Sequence, residues 1–196
     1  MHDDEITTNS LYSQIISDFK GRELPSIQIE SDYNNTLNYP NNYFVAPKNW
    51  NESFYTTSRK KMLMLSRGIE NIVRIKPPFN KFTLVSLFQK SSNFIDVKEQ
   101  YATIFPLTKA LYLIGPTSLS EYSVVVNTAI IIDSTGLGLV NNWIILAIAD
   151  DEGCALVAEE VKYEKYRGFF TNNLKLVITC LDILNDILGS IKKINV

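Results

Sequence analysis

The sequence predicts an α/β or α+β fold in which helices cover a mixed central sheet of about five strands. Two stretches indicate the sheet: an unbroken apolar run at 143–149 and a second apolar stretch at 154–161, joined by a short acidic turn. Both are too short to cross a membrane, and strands buried on both faces have this continuous apolar character. An amphipathic segment at 173–190 supplies a covering helix. We therefore expect one domain at 53–196, preceded by an extension at 1–52.

The composition limits the possible classes of function. The 196 residues are 45% hydrophobic and 20% charged, as in ordinary globular proteins. A formal net charge of -2 provides no extended positive field, so we expect no nucleic-acid partner. Cys154 and Cys180 lie in apolar stretches without a C-x-x-C pair, and no apolar leader follows the acidic amino terminus. These features predict a cytoplasmic protein without a membrane span or a cofactor.

The amino-terminal extension divides into a short helix and an irregular arm. Leu11, Ile15 and Phe19 recur at helical spacing within the predicted helix 9–20. From 25 to 51 the composition shifts to Asn, Tyr and Pro, which favour turns, while the aromatic rings offer apolar area for packing. We interpret this part as an ordered arm lying over the domain, with a dedicated binding segment as the alternative.

The domain itself is predicted to begin with a helix over 58–74. Met62, Leu65, Ile69 and Val73 fall on one helical face, and we place the charged residues, Glu70 among them, largely elsewhere. Apolar and β-branched content then predicts one more helix and five strands. The helix is at 97–109, and Pro106 is expected to bend or end it. The strands are at 82–89, 111–115, 123–132, 143–149 and 154–161, and 123–132 is either one long strand or two short ones.

The last helix, predicted over 173–190, carries more apolar surface than one sheet requires. At about 100° per residue its first apolar stripe includes Leu174, Val177 and Leu181. A second stripe lies about a third of a turn away and consists of Leu176, Cys180, Ile183 and Ile187. Because a helix on a single sheet needs only one stripe, the second stripe predicts another contact. The amino-terminal helix, the same helix of a second subunit and a partner protein are the three possibilities.

The sequence contains no recognisable catalytic or metal-binding constellation. His2 is the only histidine and lies at the terminus, so no Ser-His or Cys-His pair can be built. Gly136-x-Gly138 lacks the third glycine of a dinucleotide motif. We expect Asp133 to cap the turn after its strand, and the acids at 150–152 to form a solvated turn because they lack the spacing of a calcium loop. The prediction is a protein that is not an enzyme.

A pocket for a small ligand is the alternative functional hypothesis. Phe88 and Gln89 end one predicted strand and Trp143 begins another, and this hypothesis has all three line a pocket between the sheet and the helix 58–74. Aromatic residues on core strands usually serve packing, yet ligand pockets are also lined by aromatic rings with a few polar groups. Such a pocket suits a hydrophobic or aromatic compound.

Six stretches in succession resemble the DICT sensory domain, which occurs with bacterial diguanylate cyclases and two-component signalling proteins. They are Met62-Leu-Met-Leu-Ser-Arg-Gly-Ile-Glu70, Leu87-Phe-Gln89, Tyr101, Trp143-Ile-Ile-Leu-Ala-Ile-Ala149, Ala155-Leu-Val-Ala158 and Arg167-Gly-Phe-Phe-Thr-Asn-Asn-Leu-Lys-Leu-Val177.

The resemblance covers about residues 58–190 and implies a non-enzymatic sensory or regulatory module without catalytic residues. Such a module passes its signal through contacts with a kinase, a cyclase, a transcription regulator or a second copy of itself. The second stripe of the last helix is then the candidate surface for that contact.

Overall fold

The computed structural model describes residues 51–116, 129–189 and 192–196, with side chains from Thr57 onward. The predicted helix 9–20, the arm up to residue 50 and the segment 117–128 lie outside these residues. The described elements are β1 (Asn51–Ser58), α1 (Arg59–Ile75), β2 (Thr83–Leu87), α2 (Ser91–Ile95), α3 (Lys98–Ile104), a 3-10 turn (Phe105–Leu107), β3 (Ala110–Gly115), β4 (Ile130–Asp133), β5 (Asn142–Ile148), β6 (Gly153–Lys162), β7 (Lys165–Thr171) and α4 (Leu174–Leu188).

The strands form one mixed sheet in the order β1-β7-β6-β5-β2-β3-β4. Strands β2, β3 and β4 run parallel to one another, whereas every other neighbouring pair is antiparallel. The predicted mixed sheet covered by helices is confirmed, as an α+β fold with seven strands rather than five. In the described part of the chain, no helix has the length and apolar content needed to cross a bilayer.

Both faces of the sheet are apolar, because each central strand contributes alternate side chains to two separate cores. In β5, Ile145 and Ala147 pack with α1, α2 and α3 on one face, which we call the α1 face. Ile144, Leu146 and Ile148 pack with α4 on the opposite face, the α4 face. This double burial explains the unbroken apolar run that predicted the strand.

The edge strand β1 and its neighbour β7 were not predicted. In β7 the exposed Lys165 and Arg167 alternate with the buried Tyr166 and Gly168, which is the pattern of a strand with one polar face. The charged side chains gave this segment the composition of a loop. Glu164, at φ 54°, lies in the turn that leads from β6 into β7. Strand β1 pairs with β7 and leads directly into α1, where the Ser58 hydroxyl accepts a hydrogen bond from the Lys61 amide.

The helix predicted at 97–109 is shorter than expected. Helix α3 ends at Ile104, and Pro106 lies in the 3-10 turn that follows. Proline lacks the amide hydrogen that a continuing helix requires, so the chain leaves the helix here. Ala110 already belongs to β3 and pairs with Thr83 of β2.

The second stripe of the last helix lies mostly inside this chain. Leu176 is 6% exposed and Cys180 is fully buried, both in the core of the α4 face, while Ile183 and Ile187 are partly buried against it. An interface role for Leu176 and Cys180 is therefore wrong in this conformation. The stripe is wide because the same core also includes Leu139 and Ile194, so α4 packs against more than the sheet alone.

The carboxy-terminal segment is fastened to α4 and β3 by side-chain hydrogen bonds. The Asn185 amide donates to the Ile194 carbonyl at 3.1 Å and accepts from the Ile194 amide at 2.7 Å. The Tyr112 hydroxyl accepts from the Asn195 amide at 3.2 Å. The Asn185 side chain thus makes hydrogen bonds to both backbone groups of Ile194, as a neighbouring strand would.

We expect Asn185→Ala to lower the free energy of unfolding by about 2 kcal/mol, because two buried backbone groups of Ile194 lose their partners. Urea denaturation of the variant and the wild type measures this loss. Asp186→Ala, at an exposed position of the same helix, is the control and should stay within about 0.5 kcal/mol of the wild type. Equal losses in the two variants would contradict the role of Asn185.

Candidate functional site

A cavity of about 150 Å³ lies on the α1 face, between α1, the sheet and the segment containing α2 and α3. Phe88, Gln89 and Trp143, which the sequence predicted to share a pocket, all line this cavity. Ser66, Arg67 and Glu70 of α1, Ser86 of β2 and Tyr101 of α3 also line it. The space therefore combines aromatic rings with a compact group of polar side chains.

One wall of the cavity consists of aromatic rings that hold each other edge to face. The Phe88 ring lies 5.2 Å from the Phe94 ring and 5.6 Å from the Tyr101 ring, centroid to centroid, at interplanar angles of 73° and 71°. Trp143 meets Tyr166 at 5.5 Å and 88°. Such pairs add about 0.5–1.5 kcal/mol beyond the area that they bury. Each of these cavity rings therefore packs against at least one other aromatic ring.

The indole of Trp143 connects the sheet to α1. Its Nε1 donates to the Ser66 hydroxyl at 2.9 Å, and that hydroxyl donates to the Met62 carbonyl one turn earlier, at 3.0 Å. A serine in the interior of a helix commonly bonds back to the preceding turn, which fixes its oxygen for a second partner. The orientation of the Trp143 ring in the cavity is therefore set by the helix.

Glu70 is a buried carboxylate, which corrects its predicted place on the outer side of the helix. The residue is 3% exposed. Arg67 Nη1 donates to Oε2 at 2.9 Å, Gln100 Nε2 donates to the same oxygen, and Tyr101 Oη lies 2.9 Å from Oε1. Burial of a carboxylate is tolerated when several donors replace its water. Glu70 consequently links α1 to α3 beside the cavity.

The Tyr101 hydroxyl lies between Glu70 and a serine of the sheet. Its oxygen is 2.7 Å from Ser86 Oγ as well as 2.9 Å from the carboxylate. The Tyr101 hydroxyl has one proton and can donate in only one of these two contacts. If it donates to Glu70, the Ser86 hydroxyl donates to the Tyr101 oxygen. The result is a hydrogen-bonded chain from β2 through α3 to α1, and all three residues line the cavity.

Burial shifts the acidity of both groups in this chain. Burial raises the pKa of Glu70, opposed by the nearby Arg67 charge and by the Tyr101 hydrogen bond. Burial and the adjacent Glu70 charge raise the pKa of Tyr101 well above its ordinary value. Tyr101 therefore remains a protonated donor throughout the physiological pH range.

We expect the pH dependence of stability to report the Glu70 shift. Because its pKa is higher in the folded state, the folded protein binds this proton more tightly than the unfolded chain. The stability of the wild type relative to Glu70→Gln should thus fall as the pH rises above 4.5, the ordinary pKa of the carboxyl, and level off once the folded carboxyl is ionised. Urea unfolding at several pH values measures it. If the stability of the wild type relative to Glu70→Gln instead rises with pH, the hydrogen-bond donors lower the pKa of Glu70 by more than burial raises it.

One donor in the cavity wall has no partner among the described residues. The side-chain nitrogen of Gln89 is buried and makes no hydrogen bond there. Leaving a buried donor unpaired costs about 1–3 kcal/mol, so such atoms are usually paired with water or with a bound molecule. Gln89 lies two residues beyond the buried end of β2, and its side-chain nitrogen has essentially no accessible surface in this conformation.

Charged side chains form the solvent-facing part of the lining. Arg59 donates to the Asn93 side chain at 3.1 Å, and Asp96 is exposed. Together with Arg67 and Glu70 they give the lining two positive and two negative side chains. The cavity consequently has no net charge with which to attract an ion.

Two other candidates from the sequence have structural roles. The Asp133 carboxylate accepts from the Thr135 amide at 2.9 Å, which confirms that it caps its turn. The turn at 150–152 is not merely solvated, because Lys81 pairs with Asp151 and Glu152, each at 2.9 Å. Within the described ranges there is no group of three or more His, Cys, Asp or Glu residues that could hold a metal ion.

Comparison with known proteins finds no matching family model, no matching curated protein and no matching solved structure. The resemblance to the DICT domain therefore depends on the quoted stretches alone. Those stretches supply much of the cavity lining, through 62–70, 87–89, Tyr101 and Trp143.

The sequence predicted Phe88, Gln89 and Trp143 as lining residues but missed the hydrogen-bonded groups on the α1 and α3 side of the cavity and the serine of β2. Ser66, Glu70, Ser86 and Tyr101 were not chosen as site residues. A signal for them exists: Ser66 and Glu70 lie at helical spacing from the buried Met62, and Ser86 interrupts an otherwise apolar strand. Polar residues at core positions indicate a buried network, because isolated burial would be too costly.

Proposed function

We propose that this chain is a sensory domain that binds a small molecule in the cavity on the α1 face. The observation that carries the proposal is the meeting of an aromatic wall with the Glu70–Tyr101–Ser86 hydrogen-bonded chain in one cavity. Ligand sites typically combine a mostly apolar, preformed lining with a few placed polar groups.

The size of the cavity supports a compact ligand. An apolar cavity of about 150 Å³ holds a benzene molecule. The volume of about 150 Å³ on the α1 face therefore suits a compound of about ten non-hydrogen atoms or fewer.

The arrangement favours binding over catalysis. A general base needs a free lone pair directed at the substrate, and three of the roughly four lone-pair positions of the Glu70 carboxylate are occupied by Arg67, Gln100 and Tyr101. Both cysteines are buried, and burial raises the pKa of Cys154 to about 11 and that of Cys180 to about 12, which disfavours a reactive thiolate.

The regulatory output of this proposal comes from the resemblance to the DICT domain. It implies that the occupied domain acts on a kinase, a cyclase, a transcription regulator or a second copy of itself in the bacterial cytoplasm. Helix α1 is the element that would transmit ligand binding to the rest of the domain, because it forms one wall of the cavity and also packs against the sheet. Recovery of a partner in pull-downs from the native cell supports this output; recovery of none, with no self-association, overturns it.

We expect the wild type isolated from its native cell to retain a small compound detectable by native mass spectrometry. Leu63→Trp places a large ring from α1 into the cavity without touching the polar chain, and should abolish retention. Lys60→Trp, at an exposed position of the same helix, is the control and should retain the compound. If the wild type carries no compound and no small-molecule panel raises its melting temperature, the proposal is wrong.

A further inference from the structure

We propose that the place occupied by segment 192–196 on the α4 face is a peptide-binding site, which an extended segment of a partner protein enters in place of residues 192–196. The partner segment carries an aliphatic side chain and, two residues earlier, a basic side chain. The site lies on the opposite face of the sheet from the cavity, so the inference does not depend on a ligand there. The contacts of segment 192–196 itself show what the site recognises.

Two side chains of the domain bind the backbone of this segment. The Asn185 amide donates to the Ile194 carbonyl at 3.1 Å and accepts from the Ile194 amide at 2.7 Å. The Tyr112 hydroxyl accepts from the Asn195 amide at 3.2 Å and donates to the Asn195 carbonyl at 3.3 Å. The backbone groups of successive residues thus face opposite sides, as they do in an extended strand.

This way of holding the backbone is independent of the side chains that the segment carries. Every residue except proline offers one amide hydrogen and one carbonyl oxygen, so Asn185 and Tyr112 can hold the extended backbone of another chain in the same manner. Domains that bind extended peptides use main-chain hydrogen bonds for affinity and side-chain pockets for specificity. The specificity of this site must therefore come from the side chains of the bound segment.

The side chain of Ile194 fills an apolar pocket. It is 2% exposed and belongs to the core of the α4 face, together with Ile132 of β4 and Leu188 of α4. A polar side chain at this position would be buried without water, so the pocket selects an aliphatic residue. Asn195 and Val196 are exposed, and the two positions after the pocket therefore accept many side chains.

A basic residue two positions before the pocket completes the pattern. Lys192 Nζ donates to the Asp133 carbonyl at 2.6 Å, at the end of the edge strand β4. A hydrogen bond from an ammonium group is stronger than one between neutral groups. Lys193, which lies between the two anchored positions, is exposed. The site therefore recognises a basic residue, any residue and an aliphatic residue in succession.

Segment 192–196 competes with such a partner because it belongs to the same chain. Only residues 189–191 separate it from the end of α4 at Leu188. A short connection of this kind gives an effective concentration of about millimolar. A partner segment with the same contacts replaces it only if the partner also touches the domain elsewhere. This requirement restricts the site to partners with a second contact on the domain.

A fluorescent peptide with the sequence of residues 189–196 tests the site. The receptor is full-length Ile194→Asp, in which the new carboxylate should drive the variant's own segment out of the apolar pocket. Faster trypsin cleavage after Lys192 and Lys193 verifies this release, and circular dichroism verifies the fold. We expect fluorescence anisotropy to show binding about tenfold or more tighter than to the wild type, in which the segment still competes.

Asn185→Ala in the Ile194→Asp background identifies the place of binding. The peptide should bind about tenfold or more weakly, because two hydrogen bonds to its backbone are lost. The added change should not alter the urea midpoint of Ile194→Asp, since the released segment no longer contacts Asn185. Asp186→Ala in the same background, at an exposed position, is the matched control and should keep the affinity. A peptide with the Ile194→Asp change should not bind.

The other outcomes overturn the inference. A peptide that does not bind to folded Ile194→Asp, with its segment released, shows that the site takes no second chain. Equal binding to Ile194→Asp and the wild type, or binding that Asn185→Ala leaves unchanged, places the peptide elsewhere. If size-exclusion chromatography finds a wild-type dimer that Ile194→Asp abolishes, the occupant is a second copy rather than another protein. Ile194→Ser takes the place of Ile194→Asp if the latter does not fold. None of these results decides whether a small molecule fills the cavity.

Discussion

Gly168→Ala should lower the free energy of unfolding by about 3 kcal/mol or more, which is a large share of the stability of a domain of this size. A methyl group built on Gly168 would overlap the Val157 carbonyl oxygen and come within 2.5 Å of the Ala158 methyl group. Both neighbours belong to β6 and one is backbone, so no rotamer change relieves the overlap. Relief requires β6 and β7 to separate at the centre of their ladder.

Gly153→Ala is the matched control, since it adds the same methyl group to another glycine of the sheet. There the new atom would lie 3.2 Å from side-chain carbons of Leu174 and Val177 and 3.3 Å from the Ala147 carbonyl oxygen, all much looser contacts than those at Gly168. We expect a loss of about 1 kcal/mol, measured with Gly168→Ala by urea denaturation. If the two variants lose the same stability, the close approach at Gly168 is not the cause.

Cys180→Glu should prevent folding or cost at least about 3–5 kcal/mol, because it buries a carboxylate without a partner. Cys180 is fully buried in the core of the α4 face, and burial already raises the pKa of its thiol to about 12. This variant separates the two interpretations of the second stripe. An interface residue would tolerate the change in the monomer, whereas a core residue would not.

Ile178→Glu provides the control on the same helix. Ile178 is 42% exposed, so its new carboxylate stays in water and the fold should lose less than about 1 kcal/mol. Circular dichroism and size-exclusion chromatography of both variants give the comparison. A folded, monomeric Cys180→Glu protein would restore the interface hypothesis for the stripe.

The central strands were predictable because their burial on both faces gives short, continuous apolar runs, which are typical of strands in the middle of a sheet. The run at 143–149 is β5, and 154–161 lies within β6. Strand β7 was missed for the opposite reason: Lys165 and Arg167 on its outer face gave it the local composition of a loop. Its place in the sheet depends on pairing with β6 and β1, which is a long-range property.

The site shows the same division between local and long-range information. Trp143 and Phe88 could be chosen as candidate site residues because a large aromatic side chain on a core strand must pack against another element or line a pocket. The spacing of Glu70 from Met62 marks a core-facing position, but the donors that make its burial tolerable come from Gln100 and Tyr101 on a different helix, which the local sequence does not show. The width of the apolar face of α4 was likewise visible in the sequence, but the segment that ends in Ile194 was needed to explain it.

The pairing of β1 with β7 implies an order of assembly. Strands β5, β6 and β7 follow one another along the chain and pair as neighbours, so they close short loops and form early. Strand β1 must wait for β7, with almost the whole described chain between Asn51 and Thr171. Helix α1 is joined to β1 without a linker and forms one wall of the cavity. The cavity is therefore complete only when β1 has paired with β7, and a bound ligand would stabilise that fully folded state.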